Sequence, residues 1–345
     1  MTATELKAKL KSGNIDGWYI ICGEEEYLKR FYRNEIKRQI TSDDDPFALF
    51  NHSSVDGADF DVMEFQEALK APPMMSDRKL VEWRFADMTK LKESELAALI
   101  SAAESKADYP HATVIISTTP EGIDLGAPKR PSKLFSRLSP HFDIINFEKS
   151  TDSQLLAWLA RHFQTEGISA SANVTNTLLM RVGHSMQSLN FEVKKLCEYA
   201  KANGKSEIFA ADVEAITSSS IESDAFAISN SIIEKNVDKA FVALADMKQQ
   251  RIDAGAAIAQ LSKTYGELTS IALLMEEGRS ANDIATVMKF HPYKLGLYMN
   301  AAKKLGSKKI SDSLSALIKT DAASKAGGIS GYEAVEIFIT QNIGR

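Results

Sequence analysis

Proline placement constrains this chain more than any other feature. Of nine prolines, eight lie at or before Pro140, and Pro292 stands alone in everything that follows. Proline fixes φ and lacks an amide donor, so it punctuates turns and is excluded from helix interiors. The first ~140 residues must therefore be rich in turns. The remainder must be long helices joined by short loops.

The local patterns agree with that division. A helical start at Thr4–Leu10 leads to the apolar run Trp18–Cys22, which reads as a buried strand, and a charged helix follows over Glu24–Ile40. Further β-like runs occur at Ala48–His52, Leu80–Phe85, Thr113–Ser117 and Phe142–Phe147. Helical patterns stand between them at Asp61–Lys70, Glu93–Ser105 and Ser132–Leu138. Strands alternating with helices predict βαβ units and a mainly parallel sheet. After Lys149, Thr151 and Gln154 have the spacing of a capping box, opening a helix with Leu155, Leu156, Leu159 and Phe163 on one face. Helices are predicted at Ala172–Val182, Met186–Lys201 and Ala210–Ile216. From Glu222 onward the chain reads as helix interrupted only at Gly278, Phe290–His291, Gly306 and Gly327–Gly328, with Ser280 and Asp283 as a second capping-box start. The fold class is thus α/β plus all-α: an α/β domain at 1–148, a small helical domain at 149–217 and an all-α domain at 218–345.

Composition excludes several classes. The 345 residues are 44% apolar and 25% charged, with a net charge of −5, which suits a globular chain of two or three domains. No apolar run approaches the ~18 residues a membrane span needs, and the N-terminal segment lacks the apolar stretch of a signal peptide. The two cysteines, Cys22 and Cys197, are too few and too distant for a disulfide framework or a cysteine zinc site. A cytoplasmic location without membrane attachment is expected. The six histidines (52, 111, 141, 162, 184 and 291) form no metal-spaced pair, so no metal is expected. There is no G-x-S-x-G elbow, and Cys22 sits in an apolar strand that keeps a thiol inert. The acidic run Asp43, Asp44 and Asp45 before Pro46 reads as solvated loop.

A phosphate loop would sit just after the first strand. Against G-x-x-x-x-G-K-S/T, Gly23 and Lys29 fall in place, but Leu28 replaces the second glycine and Arg30 the hydroxyl residue. Leu28 hinders the backbone curl that aims amides at phosphate, and Arg30 removes the magnesium ligand. Glu24, Glu25 and Glu26 suit the helix dipole but repel an anion there. The later strands supply no pair of terminal acids for magnesium. Gly23, Leu28, Lys29 and Arg30 therefore form a degenerate phosphate loop, and no cofactor and no catalytic residue are expected.

Two features point outward. Pro72-Pro73-Met74-Met75-Ser76-Asp77-Arg78 would place two large apolar side chains on a stiff tip. Met74 and Met75 either fold back into the local core or form an exposed plug for a partner's pocket, a task to which methionine is suited. Between Thr286 and Lys325 there are eight lysines against two acids, whereas residues 1–148 hold 19 basic against 25 acidic residues. Lys303, Lys304, Lys308 and Lys309 are the densest part. Such a stretch marks either a solvated helix face or a surface for DNA phosphate or an acidic partner. Without arginine, bidentate reading of base edges is not expected.

In this order and spacing, five segments resemble the delta subunit family of the bacterial DNA polymerase III clamp loader. They are Tyr19-Ile-Ile-Cys-Gly-Glu-Glu-Glu-Tyr-Leu28, Phe50-Asn-His-Ser-Ser-Val-Asp-Gly57, Ala71–Leu80, Leu178–Ala200, and Phe290-His-Pro-Tyr-Lys294 with Lys325-Ala-Gly-Gly328. The resemblance implies an AAA+-like fold without a working phosphate loop, a helical lid and a C-terminal collar. It further implies a non-catalytic subunit that binds and opens the ring-shaped sliding clamp, the beta subunit. Its other partners would be loader subunits of gamma/tau and delta-prime type, with primer-template DNA inside the assembly. The whole holoenzyme is grouped with DNA-directed DNA polymerases, which are nucleotidyltransferases. Met74 and Met75 stand where the family carries its clamp-contacting apolar pair, more usually Leu-Phe or Phe-Phe, which favours the plug. Burying both would contribute ~3–6 kcal/mol gross. The competing classes are a nucleotide-dependent ATPase, against which the loop sequence argues, and a free-standing helical DNA-binding protein using the lysine-rich stretch.

Overall fold

Five parallel strands account for most of the apolar runs in the first part of the chain: β1 (Trp18–Cys22), β2 (His52–Asp56), β3 (Lys79–Ala86), β4 (Ala112–Thr118) and β5 (Asp143–Asn146). In the computed structural model, which describes residues 1–41, 46–57, 60–127, 129–328 and 331–343, they form one sheet in the order β2-β3-β4-β1-β5. The acidic run Asp43, Asp44 and Asp45 lies outside the described residues. The chain divides into two compact units, Met1–Ser150 and Thr151–Arg345.

The sheet is apolar on both faces, which is why its strands read as continuous hydrophobic runs rather than alternating ones. Trp18, Ile20 and Cys22 join Val81, Trp83, Val114 and Ile116 on one face. Helices α3 (Val62–Lys70), α4 (Glu93–Glu104) and α5 (Lys133–Leu138) cover it with Phe65, Leu69, Leu96, Leu99 and Leu138. On the other face Tyr19, Ile21, Leu80, Ile115 and Ile145 meet Leu6, Ile36 and Ile40 from α1 (Ala3–Ser12) and α2 (Glu26–Ile40). Glu82 is buried in the middle of β3. It pairs with Arg33 of α2 at 3.0 Å and His52 of β2 at 2.9 Å, so it is spent on tying three elements together. An α/β unit followed by helices is the α/β plus all-α class read from the sequence.

One strand falls elsewhere than expected. Residues 48–52 are mostly not β: the Phe50 and Asn51 amides both donate to the Phe47 carbonyl, at 2.9 and 3.2 Å, closing a turn, and the strand starts only at His52. The triplet Ala48-Leu49-Phe50 has strand composition, but its backbone bonds are local.

The second unit is helical. It contains α6 (Asp152–Thr165), α7 (Ala172–Val182), α8 (Met186–Ala202), α9 (Ala210–Ile216), α10 (Ile221–Ile233), α11 (Val237–Gln249), α12 (Ala254–Glu276), α13 (Ala281–Met288), α14 (Pro292–Leu305), α15 (Ser307–Lys325) and α16 (Gly331–Ile343). Both expected capping boxes form, Thr151 with Gln154 and Ser280 with Asp283. Pro292 occupies the first turn of α14, where its missing amide costs nothing. The central α12 buries Leu261, Tyr265, Leu268 and Ile271 in a core shared with Ile228, Leu244, Leu295, Leu317 and Phe338. Among the described residues no helix is long and apolar enough to cross a membrane.

The run from Glu222 onward is broken twice more than expected, between α10 and α11 and between α11 and α12. Neither break uses glycine or proline. Lys235 and Arg251 take left-handed conformations, with φ of 54° and 57°. Each following helix restarts on a side-chain cap. Asn236 Oδ1 accepts from the Lys239 amide, and Asp253 Oδ1 from the Gly255 and Ala256 amides. Because the Asn236 cap holds the restart of α11, Asn236→Ala should lower unfolding free energy by about 1 kcal/mol in a urea titration. No change would mean that the break is set by packing alone.

Candidate functional site

The segment that would bind phosphate is wired into the sheet instead. Gly23 follows β1 with φ of 103°, and a Cβ there would lie 2.3 Å from the Phe147 carbonyl oxygen and 2.6 Å from Asn146 Oδ1. Its glycine is required by packing against the end of β5. Lys29, 1% exposed, sends Nζ to the Thr118 carbonyl at the end of β4 (2.9 Å) and to Glu26 at 2.6 Å. The ammonium that would meet a phosphate is thereby consumed. Glu25 is buried beside it, and burial holds its carboxyl above the usual range, while Glu24 pairs with Lys149 at 3.5 Å. Leu28 packs against the α1–α2 core. The Cys22 thiol is pushed up to about 11 by burial, which keeps it protonated and unreactive at neutral pH.

Met74 and Met75 do not fold back. They are 44% and 83% exposed, at the head of β3, in the loop between α3 and that strand. Three anchors stiffen the loop. The buried side chain of Asn51 donates through Nδ2 to the Met74 carbonyl (2.8 Å) and accepts the Met74 amide on Oδ1 (2.7 Å). The buried Lys79 ammonium donates to the Ala71 carbonyl at 3.2 Å, and burial pulls its pKa below the ordinary lysine value. Arg78 pairs with Asp16 at 3.2 Å, and Ser76 Oγ donates to the Arg78 carbonyl. Met75 itself sits at φ 51°, a left-handed conformation that costs a non-glycine residue roughly 1–2 kcal/mol. An apolar side chain held in solvent on a strained backbone is not explained by the needs of the core.

A second exposed apolar pair is not apparent from the sequence. Leu49 (87% exposed) and Phe50 (61%) project from the turn that precedes β2. Their strand-like composition hides them. The signal available is Asn51 directly after them, a turn-forming residue at the start of the polar strand His52-Ser53-Ser54-Val55-Asp56.

The lysines are not one surface. Lys294 is buried and spent: it meets Glu222 at 2.6 Å and stands 4.0 Å from the centre of the Phe290 ring. Lys325 pairs with Asp321 at 2.6 Å. Lys303 and Lys304 occupy the last turn of α14, where cations suit the helix dipole, and Lys308 and Lys309 the first turn of α15, where they do not. All four are exposed. Lys304 and Lys309, with Lys235, Lys319 and Asp312, line a groove of about 630 Å³ floored by Ser313 and Asn342. Among the described residues no cluster of three or more His, Cys, Asp or Glu could hold a metal ion.

Chemically, the first unit offers a rigid apolar tip and an occupied pseudo-phosphate site, and the second a set of surface cations. Comparison with known proteins places the chain in a family. The family described as DNA polymerase III, delta subunit, matches residues 19–138, and the family for the C-terminal domain of that same delta subunit matches residues 222–342. The chain is 23% identical to DNA polymerase III subunit delta of Bacillus subtilis (strain 168), over 97% of its own length and 95% of that protein's. Among solved structures it superimposes on the Bacillus subtilis DNA clamp loader delta protein (YqeN) with a TM-score of 0.61 at 21% identity, covering 99% of both chains. It also aligns with the Thermotoga maritima RuvB Holliday junction branch migration motor, at a TM-score of 0.39 and 13% identity over 87% of this chain and 83% of that one.

The occupied loop generates a paired expectation. Calorimetry with Mg·ATP should give no saturable heat. Lys29→Ala should lower stability by about 1–3 kcal/mol, through the buried carbonyl left without its donor. Micromolar ATP binding abolished by that substitution, with stability unchanged, would identify Lys29 as a phosphate ligand.

Proposed function

Given that this chain belongs to the DNA polymerase III delta subunit family, we propose that it is a non-catalytic clamp-loader subunit that binds and opens the sliding clamp through Met74 and Met75. The observation that carries the reading is the exposure of this pair on a loop pinned by Asn51, Lys79 and Arg78. Prolines 72 and 73 and the buried amide fix the loop before contact, so little ordering entropy is lost on binding. Residues 1–148 act as the clamp-binding domain, 149–217 as the lid and 218–345 as the collar that joins gamma/tau- and delta-prime-type subunits in the cytoplasm. ATP hydrolysis belongs to those partners. The chain itself supplies binding energy that is larger for the open ring than for the closed one, which shifts the ring's population toward the open form. It enters the nucleotidyltransferase holoenzyme without a polymerase site of its own.

Replacing both Met74 and Met75 with alanine should weaken binding to the sliding clamp of the same organism about a hundredfold or more, the loss of ~2–5 kcal/mol expected for two anchoring side chains, with Tm unchanged. Met75→Gly should lower affinity with no loss of stability, because it removes the side chain and relieves the left-handed backbone together. Unaltered clamp affinity in both variants would remove the basis of this function.

Lys303, Lys304, Lys308 and Lys309 are further proposed to contact DNA phosphate in the assembled loader. Each phosphate neutralised adds roughly 0.9 to the log–log salt slope for duplex DNA. Changing all four to glutamine should flatten that slope and leave clamp binding by the free protein intact. Loss of loader assembly instead would assign these lysines to a neighbouring loader chain, and an unchanged slope with normal assembly would make them a solvated face.

A further inference from the structure

Large aliphatic and aromatic side chains seldom stand free in solvent together, and where they do they mark interaction surfaces. Leu49 and Phe50 stand free in this way on the turn before β2, and Met74 and Met75 on the loop before β3. β2 and β3 are neighbours, paired in parallel with His52 opposite Leu80, so both loops emerge side by side from the same end of the sheet. Asn51 binds one to the other with three groups. Its Oδ1 and Nδ2 hold the Met74 amide and carbonyl, and its backbone carbonyl accepts the Leu80 amide at 2.8 Å. The turn that carries Leu49 and Phe50 is itself closed by the two amides on the Phe47 carbonyl. A hydrogen-bonded bridge between two stiff loops holds the leucine and phenylalanine on the loop next to the one that carries the methionine pair.

We infer that Leu49 and Phe50 form a second apolar contact on the sliding clamp, set beside Met74 and Met75 by the side chain of Asn51. This inference rests on the clamp-binding reading of the methionine pair. It extends the contact from one loop to two, and it gives Asn51 the part of a positioning residue that touches no partner itself. A wider apolar footprint also compensates for an anchor made of two flexible methionines, since the leucine and phenylalanine have fewer rotatable bonds to order on contact.

The test compares full-length variants for affinity to the sliding clamp of the same organism, with sedimentation of each variant alone. Both Leu49 and Phe50 are mostly in solvent, so Leu49→Ala with Phe50→Ala should fold and melt like the parent. Its clamp affinity should fall about tenfold or more, as for loss of apolar anchors at an interface. If that variant keeps full affinity while Met74→Ala with Met75→Ala loses it, the inference is overturned and the clamp-binding reading stands. If neither variant loses affinity, both fail. If the parent self-associates and Leu49→Ala with Phe50→Ala abolishes only that, the occupant of the patch is a second copy of this chain and the inference is overturned.

Discussion

A single buried carboxamide, that of Asn51, decides what one end of the α/β unit presents to the outside. An amide side chain can offer one acceptor and a donor at the spacing of a peptide group. Here it pairs with the backbone of Met74 as a neighbouring strand would. The loop before β3 thus behaves as an extension of the sheet without being a strand, which is what leaves its side chains free to point away. The strained φ of Met75 is tolerated because the residue before it is fixed on both backbone groups. Take the amide away and the apolar residues would have both reason and freedom to collapse onto the nearest core.

The opposite end of the same sheet has the reverse character. There the polar groups point inward and are used up. Lys29 caps the end of β4, Glu25 is buried, and Gly23 is pressed against Phe147 and Asn146. The protein's own groups thus take the contacts that a phosphate would need. On the proposed function, nucleotide-driven change comes from other chains and this one responds through the contacts it makes.

How much of this is legible in the residues alone differs by element. The doubly covered sheet is legible because a strand buried on both faces leaves an unbroken apolar run, as at Trp18–Cys22 and Thr113–Ser117. Helix starts marked by Thr151 and Ser280 are legible because the capping box repeats a fixed spacing. The breaks before Asn236 and Asp253 are not, since the left-handed residues there are Lys235 and Arg251, neither of which advertises that conformation. The methionine tip can be located from its prolines, but its exposure cannot be decided, because the anchor that settles it, Asn51, lies 23 residues away. The same long-range bond conceals Leu49 and Phe50, whose composition mimics a strand. Lys294 reads as a surface cation for a similar reason: its partners Glu222 and Phe290 are set by packing among α10, α14 and the loop before α14.

Strand order has a consequence for how the chain is made. β1 lies between β4 and β5, and even the N-terminal ammonium donates to the Ile144 carbonyl at 3.1 Å. β1 is thus an interior strand, and both its neighbours are encoded more than 90 residues later. Until β4 has been made Trp18–Cys22 has two bare edges, and until Asn146 follows it still has one. Such pairing of distant segments is slow by topology, and an unpaired apolar strand is open to wrong partners meanwhile. Synthesis at about 5–20 residues per second leaves β1 waiting for several seconds. The helical unit that follows also closes distant contacts, with α12 meeting α15 and α10 meeting α16.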